Sequence, residues 1–514
     1  MDAFVLPFLV MALIVFTVLN FWHGQKYLSI ISSILIFFSI LLSIMYIVAG
    51  TFTGKGIDES VIFHLMFGLD QKILSKFTNY IILISLLMFS STVWLIWFNL
   101  KRLKTLQTKK KMGTAYFNFF LTSLVFVFSA FLVLGHPATA NIYELYNLTT
   151  QKERFSQFEQ YVKPVRLTYP IKSKPKNFIY IYTESLERTF LNQQRFPNLM
   201  PNIRQMEKKA VTITGIKQAP MTNWTIAGMT ASQCGIPLAT YTENRNNDLN
   251  NMNTFLPGAI CVGNFLEHHN YYLGYLGGAD LEFAGKGKFY ADRRFKDIYG
   301  FRELEKFAGH PLASSKWGAY DDDLYNLLFK YFEKVASEHK RFGIIALTLD
   351  THAPLGHETP SCKGLQYQDG SKKMLNSISC ADKLLAEFIE KFQLSPYAED
   401  TVLIIGSDHF MMNSDAGLEI DDNARENLWI ALNTGMQPQV IHRNATTLDI
   451  APTLLSILGF DVNEFALGRN LFSKQPTLSE EIGQEKFYEG LQAWRMNFWK
   501  YWDKSNSLSE ADRF

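Results

Sequence analysis

The first 135 residues alternate between long uncharged apolar runs and short polar ones. Ala3–Trp22, Leu28–Ala49, Asn79–Leu100 and Thr114–Gly135 contain no Asp, Glu, Lys or Arg. Each matches the ~20 residues that a helix needs to cross a ~30 Å hydrocarbon core. The pattern predicts a four-helix transmembrane anchor within 1–137, with helices at about 3–22, 28–49, 79–100 and 114–135. The first run opens Met1-Asp2 with no basic residue ahead of it and closes without a small-x-small cleavage site, so it reads as a retained span.

The pattern then changes. Residues 138–175 form a connector ending in the turn-rich Ser173-Lys174-Pro175-Lys176. Beyond it, short β-branched and aromatic runs alternate with helical periodicity. Phe178–Thr183, Tyr272–Leu276, Gly343–Leu349 and Thr401–Ile405 read as strands buried on both faces, and Tyr320–Glu338 and Ser379–Phe392 as helices. Such alternation predicts an α/β, doubly wound, mostly parallel sheet over 176–478. Residues 479–514 complete the chain as a C-terminal helix and tail.

Charge orients the anchor. Lys101, Arg102, Lys104, Lys109, Lys110 and Lys111 crowd the loop between spans three and four, with no acid among them. Basic loops stay on the cytoplasmic side, which places 138–514 on the other side of a plasma membrane, the periplasmic side of an inner membrane. Cysteine usage agrees. Cys234, Cys261, Cys362 and Cys380 all lie in the exported portion, as suits an oxidising compartment. Loop closure favours the near-neighbour pairs Cys234–Cys261 and Cys362–Cys380. With no CxxC spacing, a zinc ribbon is disfavoured. A net charge of +2, already explained by the lysine loop, gives no reason to expect nucleic acid. The spans carry no intramembrane charge, which disfavours a transporter.

In open α/β sheets, ligands bind at the carboxyl ends of the strands. Glu184 follows the first predicted strand; Asp350, Thr351 and His352 follow the third; Asp408 and His409 follow the fourth. Any one of these alone is an ordinary helix cap or turn residue. Together, three strand ends offering oxygen and nitrogen but no thiolate make a pattern for one divalent cation, with Mn²⁺ preferred and Zn²⁺ or Mg²⁺ possible. The segment Ala219–Met229 runs from a loop into a predicted helix and offers a hydroxyl near a helix N-terminus, where an anion is favoured. The residues alone do not choose between Thr222 and Thr225, or between nucleophile and N-cap.

Several longer runs carry a family likeness: IYIYTESLERTF (Ile179–Phe190), TNWTIAGMTASQCGIPL (Thr222–Leu238), LTLDTHAPLG (Leu347–Gly356), IGSDHFMMN (Ile405–Asn413) and TLDIAPTLLSILGF (Thr447–Phe460). With the Gly56–Leu65 loop, they resemble the glucan-modifying phosphoglycerol transferase I family. That family is a membrane branch of the alkaline phosphatase/sulfatase superfamily, beside the lipoteichoic acid synthases and phosphoethanolamine transferases. The resemblance implies an alkaline-phosphatase-like fold, and Thr222 as nucleophile with Thr225 as second choice. It further implies a metal held by Glu184, Thr222, Asp408 and His409, with His352 near the transferred group. Asp280 and Lys286 fall in the family's substrate-clamping segment. Lipoteichoic acid synthases carry Trp and Arg where this chain has Ala284 and Lys286, so a flexible ammonium replaces a bidentate fork. The sulfatase signature Cys/Ser-x-Pro-x-Arg is not met by Cys234-Gly235-Ile236-Pro237.

The expected reaction moves sn-glycerol 1-phosphate from phosphatidylglycerol to a periplasmic glucan through a phosphoglyceryl-threonine. Membrane lipid is the donor's setting, and an amphipathic Val61–Leu69 would rest at the interface. The alternatives are a phosphoethanolamine transferase acting on lipid A or a related acceptor, a phosphoester or sulfoester hydrolase of the same fold, or a non-catalytic envelope scaffold. His23 and His136, which flank spans, read as interfacial, and His268, His269 and His442 as non-catalytic.

Overall fold

A computed structural model describes residues 26–53, 115–150, 158–240, 254–417 and 424–503, with isolated positions at 7–8, 10–12, 14–15, 93, 97, 249 and 252. The lysine-rich loop, the Val61–Leu69 segment and all but Val93 and Trp97 of the third expected span lie outside the described residues. The chain divides into two units, Met1–Lys152 with Thr240–Asn246, and Glu153–Ala239 with Asn247–Phe514.

In the first unit, α1 spans Lys26–Thr53, α2 spans Ala115–Leu134 and α3 spans Pro137–Thr150. Ile30–Ile47 within α1 is long and apolar enough to cross a membrane, with a mean hydropathy of 2.5. Phe119–Leu134 and Pro137–Tyr143 together pass the same test across a 53° bend. Small polar residues seat α1 on its neighbours, as is usual where lipid removes the hydrophobic drive between helices. The Ser39 hydroxyl donates to the Leu132 carbonyl at 3.3 Å, and Ser43 Oγ lies 2.9 Å from His136 Nε2. His136, expected at an interface, is instead fully buried in the turn between α2 and α3, where its Nδ1 accepts the Ala138 N–H at 3.1 Å. Pro137, which needs no N–H partner, then starts α3. The stretch predicted as a connector therefore opens with a helix.

The second unit is built on eight strands: β1 Asn177–Thr183, β2 Val211–Lys217, β3 Tyr272–Gly277, β4 Asp297–Tyr299, β5 Phe342–Leu347, β6 Thr401–Ser407, β7 Trp429–Leu432 and β8 Gln439–Thr446. Their order is β8-β2-β7-β6-β1-β5-β3-β4. Neighbours run parallel except β7, which is antiparallel to both β6 and β2. The four predicted strands are present, with β5 ending at Leu347 rather than Leu349. At the centre, Tyr182 of β1 sits beside Leu347 of β5 and Gly406 of β6, so three strand ends reach one edge together.

Helices cover the sheet: α4 Thr225–Cys234, α5 Asp321–Glu338, α6 Lys373–Leu394 and α7 Ile450–Ile457. Leu328, Tyr331 and Phe332 of α5 and Leu385, Phe388 and Phe392 of α6 share a core with Ile179, Ile344 and Leu403. α4 packs against α7. Disulfides join Cys234 to Cys261 and Cys362 to Cys380, the pairing expected from loop length. In the C-terminal segment, helices Leu478–Ile482 and Gln484–Ala493 lead into a 3-10 helix, Arg495–Trp502. The described part of this segment is tied to the rest of its unit. The Trp502 indole donates to the Ala239 carbonyl at 3.1 Å, and its ring lies 5.3 Å from that of Phe255.

Candidate active site

Glu184 leaves β1 just before Ser185, whose φ of 54° turns the chain sharply. The Ser185 N–H donates to Asp408 Oδ1 at 2.9 Å, and the Glu184 N–H donates to the Thr348 hydroxyl at 3.0 Å. Thr351 also donates its hydroxyl to the Glu184 carbonyl. The exits of β1, β5 and β6 are thus tied to one another before any ligand is considered. A buried bidentate pair reinforces them: Arg425 Nε and Nη2 meet Glu187 at 2.9–3.1 Å, and Nη2 also donates to the Met411 carbonyl at 2.6 Å.

Glu184, Asp408 and His409 are each at most 1% exposed, and their ligand atoms lie within 4.8 Å of one another. His409 Nε2 stands 3.5 Å from Glu184 Oε1 and 3.3 Å from Asp408 Oδ2. Its Nδ1 lies 2.7 Å from the Phe410 carbonyl. A carbonyl only accepts, so Nδ1 carries a proton and Nε2 is the nitrogen turned toward the carboxylates, its lone pair open to a cation once that nitrogen is deprotonated. Asp408 Oδ2 and His409 Nε2 are buried with no hydrogen-bond partner. Burial opposes the Glu184 charge, but the neighbouring His409 imidazole first, and then the charge of His352, hold its carboxyl down to about 2. Asp408 is pushed up to about 7, by burial first and then by Glu184. Burial opposes protonation of His409, yet the Asp408 and Glu184 carboxylates raise it to about 9. Two buried carboxylates and an imidazole with orphaned donor atoms fit a divalent cation, which would satisfy all of them.

Of the two candidate threonines, Thr225, the first residue of α4, touches this cluster, donating its hydroxyl to Glu184 Oε2 at 3.3 Å. Thr222 is fully buried, and its hydroxyl donates to the Ala219 carbonyl at 2.7 Å. It follows Met221, whose φ of 61° throws the chain into a tight turn. His352 lies outside the three-residue cluster. Its Nδ1 is 2.7 Å from the Ala353 carbonyl and its ring packs on Trp317 at 4.2 Å. Lys286 is buried, with its ammonium 4.5 Å from the Phe283 ring. Burial lowers its pKa to about 8 against the opposing charges of Glu184, Asp408 and Asp280. Asp280 is paired with Arg302 at 3.2 Å.

Sequence reasoning missed the support around His352. Asp321, first in α5, accepts the Leu349 and Asp350 N–H groups at 2.7 and 3.0 Å, and Asp350 Oδ2 accepts the Asp321 N–H at 2.9 Å. These reciprocal caps fix the turn that ends in His352. The DDD run at 321–323 signalled a helix start, but nothing in it pointed to a partner 29 residues away.

Residues 176–460 match the family model described as Sulfatase, and residues 2–154 match one described as Phosphoglycerol transferase I, N-terminal domain. The chain belongs to the sulfatase family. Within it, the chain is similar to proteins named Phosphoglycerol transferase I. One, from Xanthomonas euvesicatoria pv. vesicatoria, is 32% identical over 459 residues, covering 88% of this chain and 63% of the relative. Another, from Escherichia coli, is 32% identical over 481 residues, covering 92% and 60%. The chain therefore spans less than two thirds of the length of these relatives. A crystal structure of a protein in the alkaline phosphatase superfamily from Vibrio parahaemolyticus shares the fold, with a TM-score of 0.54 at 19% identity over 66% of this chain and 91% of that one.

Proposed function

We propose that this protein is a metal-dependent membrane phosphoglycerol transferase that moves sn-glycerol 1-phosphate from phosphatidylglycerol to a periplasmic glucan. The observation that carries the reading is the buried Glu184–Asp408–His409 cluster with its unpaired donor atoms, in a chain whose remaining N-terminal part matches the transferase's own domain. Glu184, Asp408 and His409 would hold the cation, with Thr222 as a fourth ligand. When bound, a divalent ion there lowers the pKa of a hydroxyl and offsets charge on phosphoryl oxygens.

The chain's own residues do the rest. Thr222 Oγ attacks phosphorus, the bond to the diacylglycerol oxygen breaks, and the threonine proton passes to that oxygen. Phosphoglyceryl-threonine remains. A sugar hydroxyl then attacks, the bond to threonine breaks, and the proton returns to Thr222. His352 moves or shares these protons, and Lys286 holds the donor phosphate as a point charge. Thr222 is preferred on its motif position; Thr225 is the second reading, favoured by its contact with Glu184. The N-terminal unit anchors the enzyme as a multi-pass protein of the inner membrane, with the catalytic unit on the periplasmic side.

Mass spectrometry of the protein trapped with phosphatidylglycerol and Mn²⁺ tests this. A glycerol phosphate adduct on the Thr222 peptide is expected. An ethanolamine phosphate adduct formed from phosphatidylethanolamine would favour the phosphoethanolamine transferase. Diacylglycerol release with no transfer to any acceptor would mark a hydrolase, and no turnover with no bound metal would mark a scaffold.

A further inference from the structure

The reciprocal caps between Asp321 and Asp350 fix the backbone that leads to His352, but they leave its imidazole two torsions of its own. Two contacts remove that freedom. The first is Nδ1, which lies 2.7 Å from the Ala353 carbonyl. A carbonyl only accepts, so Nδ1 carries a proton, and Nε2 is the nitrogen left to exchange one with a substrate. A hydrogen bond from a ring N–H acts in the ring plane and resists tilting out of it only weakly. The second contact opposes that tilt. The Trp317 ring stacks on His352 with centroids 4.2 Å apart and planes inclined by 31°.

Trp317 is itself placed by backbone geometry. It lies in the turn of a small hairpin in which Ser314–Ser315 pairs with Gly318–Ala319, and the Ser315 hydroxyl accepts its backbone N–H at 3.1 Å. The hairpin docks on the exit of β3. The Ala319 N–H donates to the Gly278 carbonyl at 3.0 Å, and a Cβ on Gly318 would fall 2.1 Å from that same oxygen. Glycine, at a φ of 143°, permits this approach. From the same exit, Phe283 meets the indole nearly edge-on at 5.7 Å and 75°, and the Lys286 ammonium lies 4.5 Å from the Phe283 ring. One row of side chains, Lys286–Phe283–Trp317–His352, therefore joins the two groups to which the transferase reading gives the donor phosphate and the moving protons. The indole does not hold its place through its own N–H. Nε1 is buried with no hydrogen-bond partner, an arrangement that lowers stability and that a phenyl ring would avoid. What the position uses is a flat aromatic face.

We propose that Trp317 is a positioning residue for the transfer reaction: its indole face sets the plane of the His352 imidazole and so aims Nε2 at the transferred group. The proposal rests on the transferase reading above and adds to it a residue that acts through His352 rather than on the substrate. Loss of the indole face is then felt in kcat, and only while His352 is present.

The test uses the full-length protein in detergent with phosphatidylglycerol and Mn²⁺. Trp317→Leu should lower kcat for diacylglycerol release on the order of 10–100-fold, as when a reacting group loses its alignment. The KM for the lipid and the Mn²⁺ affinity should stay close to the wild-type values. Trp317→Phe, which keeps a flat face and removes the unpaired N–H, should recover most of kcat at an equal or higher melting temperature. In a His352→Gln background, Trp317→Leu should cost nothing further, because its effect passes through the imidazole already removed. A second readout needs no turnover. The His352 ring protons, assigned by their absence from the His352→Gln spectrum, should be displaced upfield by the indole in NMR of the wild type, and Trp317→Leu should abolish the displacement. Should Trp317→Leu fail to fold, Trp317→Met replaces it in each comparison. Losses that add in the double variant overturn the proposal. So does an unchanged kcat, a fall in Mn²⁺ affinity as large as the fall in kcat, or a wild type whose His352 protons show no displacement. The displacement without any lipid turnover would sink the transferase reading while upholding the hold of Trp317 on His352. A glycerol phosphate adduct on Thr222 with additive losses would sink only the role of Trp317.

Discussion

Gly228 and Asp408 touch backbone to backbone: a Cβ on residue 228 would fall 1.9 Å from the Asp408 carbonyl oxygen. The same Cβ would stand 3.5 Å from the Thr222 carbonyl. One hydrogen-only side chain in the first turn of α4 thus lets the threonine turn and the Asp408 loop approach each other. Gly228→Ala must push α4 away from residue 408. We expect a loss of ~1–3 kcal/mol in unfolding free energy from overpacking. Metal affinity should fall on the order of 10–100-fold, as when the supports of a ligand shift. Denaturant titration and metal titration of the same variant check both; unchanged metal affinity would show that the contact relaxes without moving Asp408.

The two threonines separate by substitution. Thr222→Ala should remove the covalent adduct and lower turnover by about 10⁴-fold or more, the scale seen when a nucleophile is deleted. Thr225→Ala loses only the hydrogen bond to Glu184, so the adduct should still form, with turnover down by roughly tenfold. Tandem mass spectrometry of the trapped peptide decides, because an adduct on residue 225 reverses the assignment.

The burial of Asp350 sets the sign of a pH dependence. Burial first, and the Asp322 charge with it, push its carboxyl up to about 7, against ~3.9 in an unfolded chain. The folded state therefore binds a proton that the unfolded state has released. The stability this proton supplies is complete below the unfolded value and is lost as pH rises through about 7. Asp350→Asn keeps an oxygen for the Asp321 N–H and cannot ionise. Its melting temperature should gain on that of the wild type from pH 4 to pH 8, measured at one fixed metal concentration. A difference that stays flat across that range would show that Asp350 is ionised throughout.

Removing the Cys362–Cys380 bridge with Cys362→Ala/Cys380→Ala reopens a loop of 18 residues, worth about 3 kcal/mol in chain entropy. The expected signature is a lower unfolding free energy, measured by denaturant titration of the variant beside the wild type; equal stability would show that the loop is held by its other contacts.

Much of this was legible because the signal was local. β1, β3, β5 and β6 are buried on both faces and read as unbroken apolar runs. Glu184, Asp408 and His409 follow such runs directly, so a strand end was enough to find them. β8 was missed because its exposed alternation, QVIHRNAT, looks polar, and β4 because it is three residues long. The Glu187–Arg425 pair joins residues 238 apart that only the β6–β1 adjacency brings together. The burial of His136 had no signal either, because a histidine beside an apolar run reads the same whether it faces headgroups or a neighbouring helix. Motif position pointed to Thr222, while contact with the cluster falls to Thr225; rotamers are set by packing that a linear pattern does not contain.

The latch made by Trp502 also bears on biosynthesis. Its indole reaches a carbonyl made 263 residues earlier, and its ring lies 5.3 Å from that of Phe255, so this contact closes only when nearly all of the described chain has been made. A ribosome stalled before that point would hold an unfinished domain with an uncovered aromatic face.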